Sequence, residues 1–279
     1  MLTVPARLLG DGERRAVERL LDEEPIAAAQ VAERVAAAGV SWWRQEARVL
    51  GYGPRRRLES ILWAGANIVP VRPTSPAISA FAGLLIREPR MCSSIVGPAD
   101  GVLDLWHQVQ PWWGSAREIR EVQPLLATAT VPTVAPDPLV RLVRPTEVDL
   151  VYPAAVAMYT EEVGVAPVRH ASDGSYRERV ADLVRAGRTY ARIVDGRVVF
   201  KAELAIVTRH TAQVQGVWTA PDLRGRGIAT AAMAAVVDDA LRRVAPTVSL
   251  YVNAYNDGAR RVYQRCGFHQ VGVFATVLF

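Results

Sequence analysis

Residues 217–230 combine residue types that suit the binding of an anion. The stretch reads as a buried strand, a short loop dense in Arg and Gly, and the start of a helix. Such a loop turns several backbone N–H groups toward one point, and the helix N-terminus adds a partial positive charge there. Arg224 and Arg226 add two full positive charges. The pattern therefore predicts a pyrophosphate site.

A second stretch, residues 250–268, reads as a strand, an Asn, a helix and a helix-ending Gly-Phe pair. We expect Asn256 to cap the helix and Gly267 to close it. Within the helix, Tyr263 lies on the same face as Ala259 and Cys266, so its side chain is predicted to point inward. On its own, this pattern is also typical of a core tyrosine with a satisfied hydroxyl.

Together, the two stretches resemble the GNAT superfamily of N-acetyltransferases over about residues 139–279. The loop fits the pattern Arg/Gln-x-x-Gly-x-Gly/Ala, which holds the pyrophosphate of acetyl-CoA in that family, and the second stretch follows at the family's distance. The loop lacks the Gly-Lys-Ser/Thr of a P-loop and the acidic partner of a dinucleotide site. The resemblance implies acetyl-CoA as acyl donor, no metal, and direct transfer of acetyl to a primary amine of a small molecule or protein.

The resemblance also implies a role for each matching residue. The strand before the loop would bind the pantetheine arm and orient the acetyl carbonyl, and the loop amides would bind the pyrophosphate. Tyr263 would protonate the departing thiolate as a general acid. The predicted cofactor-binding residues are Val217, Trp218, Thr219, Arg224, Gly225, Arg226, Gly227, Ile228, Ala229, Thr230, Asn256 and Tyr263.

The proton acceptor is where the chain departs from the family. A lysine-type amine has a pKa of about 10.4 and must lose a proton before it attacks. Many relatives carry a Glu on the strand before the loop, but Gln213 and Gln215 stand there and neither is a base. Glu203, which shares a strand face with Lys201, is the predicted replacement. A paired or solvated Glu203, a water relay, and the terminal carboxylate of Phe279 are the alternatives.

Because the strand glutamate is missing, a second class of function also fits the sequence. The chain would then be a non-catalytic acyl-CoA-binding sensor or regulatory module.

Composition narrows the class of protein. The 279 residues are 50% hydrophobic and 22% charged, with a net charge of +5, and Arg55, Arg56 and Arg57 form the only basic triplet. A nucleic-acid partner is not expected without a basic stripe, nor a membrane span without an apolar run of about 20 residues. Two cysteines make no disulfide framework or metal site. We expect a cytoplasmic monomer or homodimer.

The predicted fold is α/β, a mixed sheet with helices on both faces, in two domains. Three prolines in residues 128–138 indicate a linker, which gives an N-terminal domain at 1–130, a linker at 131–138 and a GNAT domain at 139–279. Residues 10–38 are predicted to be helical, and residues 268–279 to form two short closing strands. Residues 190–194 and 198–207 are predicted to form a hairpin across Asp195 and Gly196, and the helix after the Arg-Gly loop to run to about Arg243.

The N-terminal half shows a weaker likeness to the same fold. Residues 91–110 read as strand, turn and helix, but the turn carries Asp100, which would repel phosphate. This predicts a degenerate acetyltransferase-like lobe that has lost cofactor binding, and the half also resembles an uncharacterised domain that precedes acetyltransferase domains. Six of the seven tryptophans lie here and would line a groove, an interface or a core: Trp42, Trp43, Trp63, Trp106, Trp112 and Trp113.

Overall fold

The computed structural model describes residues 6–41, 47–54, 57–167 and 174–279. Their elements run in the order β1 Arg7–Leu8, α1 Arg14–Asp22, α2 Ala29–Ala38, β2 Arg48–Tyr52, β3 Ser60–Ala64, β4 Asn67–Val71, α3 Ser75–Leu85, β5 Ser94–Pro98, α4 Ala99–Trp113, β6 Glu118–Thr128, β7 Val140–Leu142, α5 Val148–Val163, α6 Gly174–Arg185, β8 Thr189–Val194, β9 Arg197–Val207, β10 Ala212–Thr219, α7 Ile228–Arg243, β11 Val248–Tyr251, α8 Asp257–Arg265 and β12 His269–Leu278. No helix in these ranges is long and apolar enough to cross a membrane.

The chain packs as two compact units. The first contains Met1–Leu126, Tyr251–Asn256 and Gln270–Phe279, and the second contains Ala127–Leu250 and Asp257–His269. Two segments of the predicted C-terminal domain thus pack with the N-terminal half. The boundaries 1–130, 131–138 and 139–279 remain a prediction.

Two helical layers cover the sheet of the first unit. Its strands lie in the order β1-β2-β3-β4-β5-β12-β6. Because side chains alternate along a strand, Ile61 faces a core with α1 and α2, while Leu62 faces a second core with α3 and α4. Trp63 and Trp106 are buried, one in each core, whereas Trp112 is exposed. Trp42 and Trp43 lie outside the described residues.

A buried polar chain explains why the C-terminal strand belongs to this unit. Gln123 on β6 donates from Nε2 to Asn253 Oδ1 at 2.8 Å. The Thr276 hydroxyl on β12 donates to Gln123 Oε1 at 2.6 Å. All three side chains are buried, where each lost hydrogen bond costs free energy. Residues 269–278 form one strand, which pairs with β5. The prediction of two closing strands is wrong.

The predicted helix over residues 10–38 is also interrupted. α1 ends at Asp22 and α2 begins at Ala29, with turns between them. Pro25 stands in this interval, and a proline inside a helix removes a backbone donor and clashes with the preceding turn.

The second unit contains the strands β7-β8-β9-β10-β11 in that order. The β7, β8, β9 and β10 neighbours are antiparallel, and β10 and β11 are parallel. The predicted hairpin across Asp195 and Gly196 is confirmed, with φ values of 49° and 72° at these residues. Helices α5 and α6 pack on Ala191 and Val198 of the sheet.

The two halves of the chain repeat one order of elements: β-α-α-β-β-β-α-β-α-β. By this order, β5 and α4 correspond to β11 and α8, so residues 91–110 are the counterpart of the second sequence block. The counterpart of the Arg-Gly loop is instead residues 72–74, between β4 and α3. There Pro73 has no amide hydrogen, and the Thr74 side chain accepts a bond from the Ala77 amide and caps α3.

Candidate functional site

The open edge of β10 is the first feature of the candidate site. Within the described residues, the ladder pairs between β10 and β11 are Ala212 with Val248 and Gln213 with Ser249. β10 continues to Thr219, and its residues change from buried to half-buried at Gln215. The strand before the Arg-Gly loop is therefore buried only in its first part, and its later peptide groups lie at an open edge.

A β-bulge interrupts β10 at this opening. Gln215 pairs with Glu203 on β9, and Trp218 pairs with Lys201, so Gly216 and Val217 together oppose one residue of β9. Gly216 has a φ of 60°, a conformation that glycine adopts without steric cost. A bulge of this kind bends the strand and turns its peptide groups out of the regular ladder.

The Arg-Gly loop leaves the start of α7 uncapped. Gly227 is the N-cap, and it has no side chain that can accept from the first-turn amides. The Thr230 amide bonds to Gly227 O at 3.1 Å, which leaves the Ile228 and Ala229 amides with no partner inside the helix. Gly225 and Gly227 have φ values of 77° and 80°, and a Cβ atom at either position would meet nothing within 4 Å. The loop therefore faces open space, as an anion-binding helix start requires.

Glu161, near the end of α5, contacts both ends of this region. Its Oε1 accepts from Trp218 Nε1 at 3.1 Å, and its Oε2 accepts from Arg224 Nη2 at 2.7 Å. Arg224 also donates from Nε to Thr219 O at 2.9 Å. One predicted phosphate-binding arginine is thus held by a carboxylate that sequence reasoning missed, because nothing local in the chain indicates this contact.

Tyr263 on α8 is buried, as its helical spacing predicts. Its ring packs edge-on against Phe268, with centroids 5.9 Å apart. Burial raises the pKa of its hydroxyl above the usual range, and the negative charge of Glu162 raises it further. The hydroxyl is therefore protonated at neutral pH, and it is a weaker acid than the hydroxyl of an exposed tyrosine.

The other residues singled out from the sequence either make packing contacts or lie at the surface. Thr230 is buried in the first turn of α7, where its carbonyl accepts from Cys266 Sγ at 3.4 Å. Cys266 is fully buried and belongs to the core, and this burial raises the pKa of its thiol to about 11. Asn256 is exposed, immediately precedes α8 and packs with the first unit. The Phe279 ring packs against Trp106 of that unit.

Glu203 is a buried carboxylate beside Lys201, on the sheet face that carries α5 and α6. Glu203 is 5% exposed and Lys201 is 0% exposed. Lys201 Nζ lies 2.7 Å from Glu203 Oε1, yet in the described structure neither this oxygen nor the facing Thr189 Oγ1 has a partner with hydrogen-bond geometry. The charge of Glu203 also helps to raise the pKa of Tyr176 on α6, behind the larger effect of burial.

The side chains of Gln213 and Gln215, on the strand before the Arg-Gly loop, bond to each other. Gln215 donates from Nε2 to Gln213 Oε1 at 3.1 Å.

Comparison with known families agrees with this geometry. Residues 47–151 match the model of the domain of unknown function DUF4081, and residues 152–268 match that of the Acetyltransferase (GNAT) family. The chain therefore carries a DUF4081 domain followed by a GNAT acetyltransferase domain. An uncharacterized N-acetyltransferase of Methanocaldococcus jannaschii is 37% identical over 65 residues, a match that spans 23% of this chain and 29% of that protein.

Solved structures extend the likeness to the whole chain. A GCN5-related N-acetyltransferase from Sphaerobacter thermophilus superposes with a TM-score of 0.61 at 18% identity, covering 98% of this chain and 95% of that one. A tandem GNAT protein from the clavulanic acid biosynthesis pathway gives 0.54 at 14% identity, with 98% of both chains covered. A Drosophila protein gives 0.65 at 13% identity and 98% coverage of both. The fold is thus a tandem GNAT-like fold.

Replacing Glu161 tests whether its carboxylate competes with an anionic ligand for Arg224. In Glu161→Gln the amide oxygen still accepts from Trp218, but the negative charge beside Arg224 is gone. Because such exposed pairs contribute up to about 1 kcal/mol, we expect CoA to bind up to about fivefold more tightly. Calorimetric titration with CoA measures this, and Glu178→Gln on α6 is the control for loss of one exposed charge. Weaker binding in Glu161→Gln would show that Glu161 instead holds Arg224 in place for the ligand.

Proposed function

We propose that the protein is an acetyl-CoA-dependent N-acetyltransferase that transfers acetyl directly to a primary amine. The observation that carries the proposal is the uncapped start of α7 at Gly227, which directly follows the open edge of β10. A helix start with free amides binds a pyrophosphate, and an open strand edge offers amides and carbonyls to an extended arm of the same ligand.

The residues of the loop fit the phosphate end of acetyl-CoA. Gly225 and Gly227 hold the backbone in positive φ and leave room for phosphate oxygens. Exposed Arg226 and Arg224 add positive charge. In this assignment, Val217, Trp218 and Thr219 bind the pantetheine arm through their backbone. Acetyl-CoA supplies the activated thioester, whose sulfur is replaced by the amine nitrogen.

Two side chains move protons in this proposal. The acceptor, an ammonium at neutral pH, loses one proton before it attacks and a second after its nitrogen bonds to the acetyl carbon. Glu203 accepts the first proton, directly or through water. Tyr263 gives its hydroxyl proton to the departing sulfur, and the second amine proton replaces it. Glu203 Oε1 lies 2.7 Å from Lys201 Nζ, and this buried ion pair places a carboxylate beside the β10 bulge.

The first unit is assigned no acetyl-CoA in this proposal. Its counterpart of the loop is confined to Arg72, Pro73 and Thr74, and the Thr74 side chain already caps α3. Glu24 and Glu59 line the pocket beside Arg72, and their negative charges offset its attraction for phosphate. A cytoplasmic location stays a prediction.

A panel of amines tests the proposal and separates it from a non-catalytic acyl-CoA sensor. Release of CoA thiol from acetyl-CoA is followed with small polyamines, amino sugars, aminoglycosides and lysine-containing peptides. At least one class should accelerate the release in a saturable way. Tight binding of acetyl-CoA without turnover on any amine would favour the sensor.

Gly227→Glu provides the matched variant for that assay. The added carboxylate enters the space in front of the loop and repels pyrophosphate, so CoA binding and thiol release should both be abolished. Gly187→Glu is the control, because Gly187 also has positive φ and open space around it. Both variants carry a comparable backbone strain of about 1–2 kcal/mol. Normal CoA affinity in Gly227→Glu would refute the placement of the pyrophosphate.

Tyr263→Phe tests the general acid. Loss of the hydroxyl should lower kcat by about 100-fold or more, the usual contribution of acid catalysis. Because the ring remains, the affinity for CoA should stay within about twofold of the original value. Tyr190→Phe is the control, since Tyr190 is also buried but donates to Asp239 on α7 at 2.6 Å. An unchanged kcat in Tyr263→Phe would remove this residue from the mechanism.

A further inference from the structure

Lys201 stands apart from every other cationic residue of the chain. It is the only lysine among 33 basic residues, the rest being arginines. Its side chain is completely buried, although lysine is almost never fully buried unless paired. A sequence that uses arginine everywhere else and lysine at one enclosed position indicates a requirement for a compact ammonium group there.

The partners of Lys201 are the bulge and the candidate base. Its Nζ donates to Gly216 O at 3.0 Å and lies 2.7 Å from Glu203 Oε1. Gly216 is the extra residue of the bulge in β10, opposite β9. One ammonium group thus joins the carbonyl of the bulge to the carboxylate assigned to the amine proton.

The fit around this ammonium is tight. A Cβ atom at position 216 would lie 3.0 Å from Lys201 Nζ and 3.2 Å from Glu203 Oε2. Glycine at position 216 therefore provides both the positive φ of the bulge and the space that the two charged groups occupy. The larger, forked guanidinium of arginine would not fit in place of the ammonium.

Fixing the Gly216 carbonyl also fixes the amide that follows it. When this carbonyl points to Lys201, the bulge is held in one conformation, and the Val217 amide, which belongs to the same peptide group, keeps one direction. In the proposed function this part of β10 faces the acetyl carbonyl. Donors that are already oriented polarise a carbonyl without reorganisation, which is the main source of such stabilisation.

We infer that Lys201 is a positioning residue of the acetyltransferase site, which holds the β10 bulge in the shape that polarises the acetyl carbonyl. The inference rests on the proposed function. It gives Lys201 a role that is separate from charge balance with Glu203, and this separation can be measured.

The experiment compares the wild-type protein, Glu203→Gln and the double variant Lys201→Met/Glu203→Gln. The double variant removes both buried charges together, so no unpaired charge is left in the interior. Isotope-edited infrared spectroscopy records the stretching band of acetyl-CoA labelled with ¹³C at the thioester carbonyl, and no acceptor amine is needed. CoA affinity and the thermal unfolding midpoint are measured for all three proteins.

The wild-type protein and Glu203→Gln should both shift the carbonyl band to lower frequency than in water. The double variant should lose the shift, while CoA affinity stays within about twofold, because the pyrophosphate loop is untouched. A band that is the same in all three proteins would overturn the inference. If wild-type protein does not bind acetyl-CoA at all, the proposed function fails instead.

A second variant covers the case in which the double variant does not fold. Lys201→Arg keeps both charges but replaces the compact ammonium beside Gly216 O with a larger guanidinium, so it should also lose the band shift. An unshifted band there supports the inference, and a wild-type band contradicts it.

Discussion

The extra residue at Gly216 is the constraint on which the second unit depends. It needs a positive φ, and it turns β10 out of its ladder with β9 just where β10 also parts from β11. Three features follow from this bulge: the open edge of β10, the direction of the next peptide groups and the approach of the chain to the Arg-Gly loop. Buried Lys201 bonds to the Gly216 carbonyl, so a polar contact in the interior fixes a backbone shape at the surface.

The two units show how one order of elements can serve different chemistry. In the second, a glycine precedes α7 and leaves its first amides without a side-chain cap. In the first, the corresponding helix is capped by Thr74, and a proline replaces one of the amides. These few residues, rather than the fold, separate a helix start that can receive an anion from one that is already satisfied. The likeness to tandem GNAT structures therefore describes the architecture of both units, and the ligand proposed for the second unit rests on the residues of that unit.

The sequence predicted well the features that depend on local patterns. The turn at Asp195 and Gly196, the end of α7 at Arg243 and the burial of Tyr263 on one face of α8 follow from short-range patterns. Alternation along β9 placed Glu203 and Lys201 on one face, but it could not show that both are buried or that Gly216 lies against them. Glu161 on Arg224, and the bonding of Gln123 to Asn253 and Thr276, join residues far apart in the chain. Such pairings depend on tertiary packing, and no local signal indicates them.

Hydrogen–deuterium exchange with and without CoA tests the proposed cofactor site at its backbone amides. We expect slower exchange in peptides that cover residues 214–219 and 224–230, where the edge of β10 and the first turn of α7 would gain partners. Peptides that cover residues 72–77 of the first unit should not change. Protection at residues 72–77, or none at residues 224–230, would contradict the account.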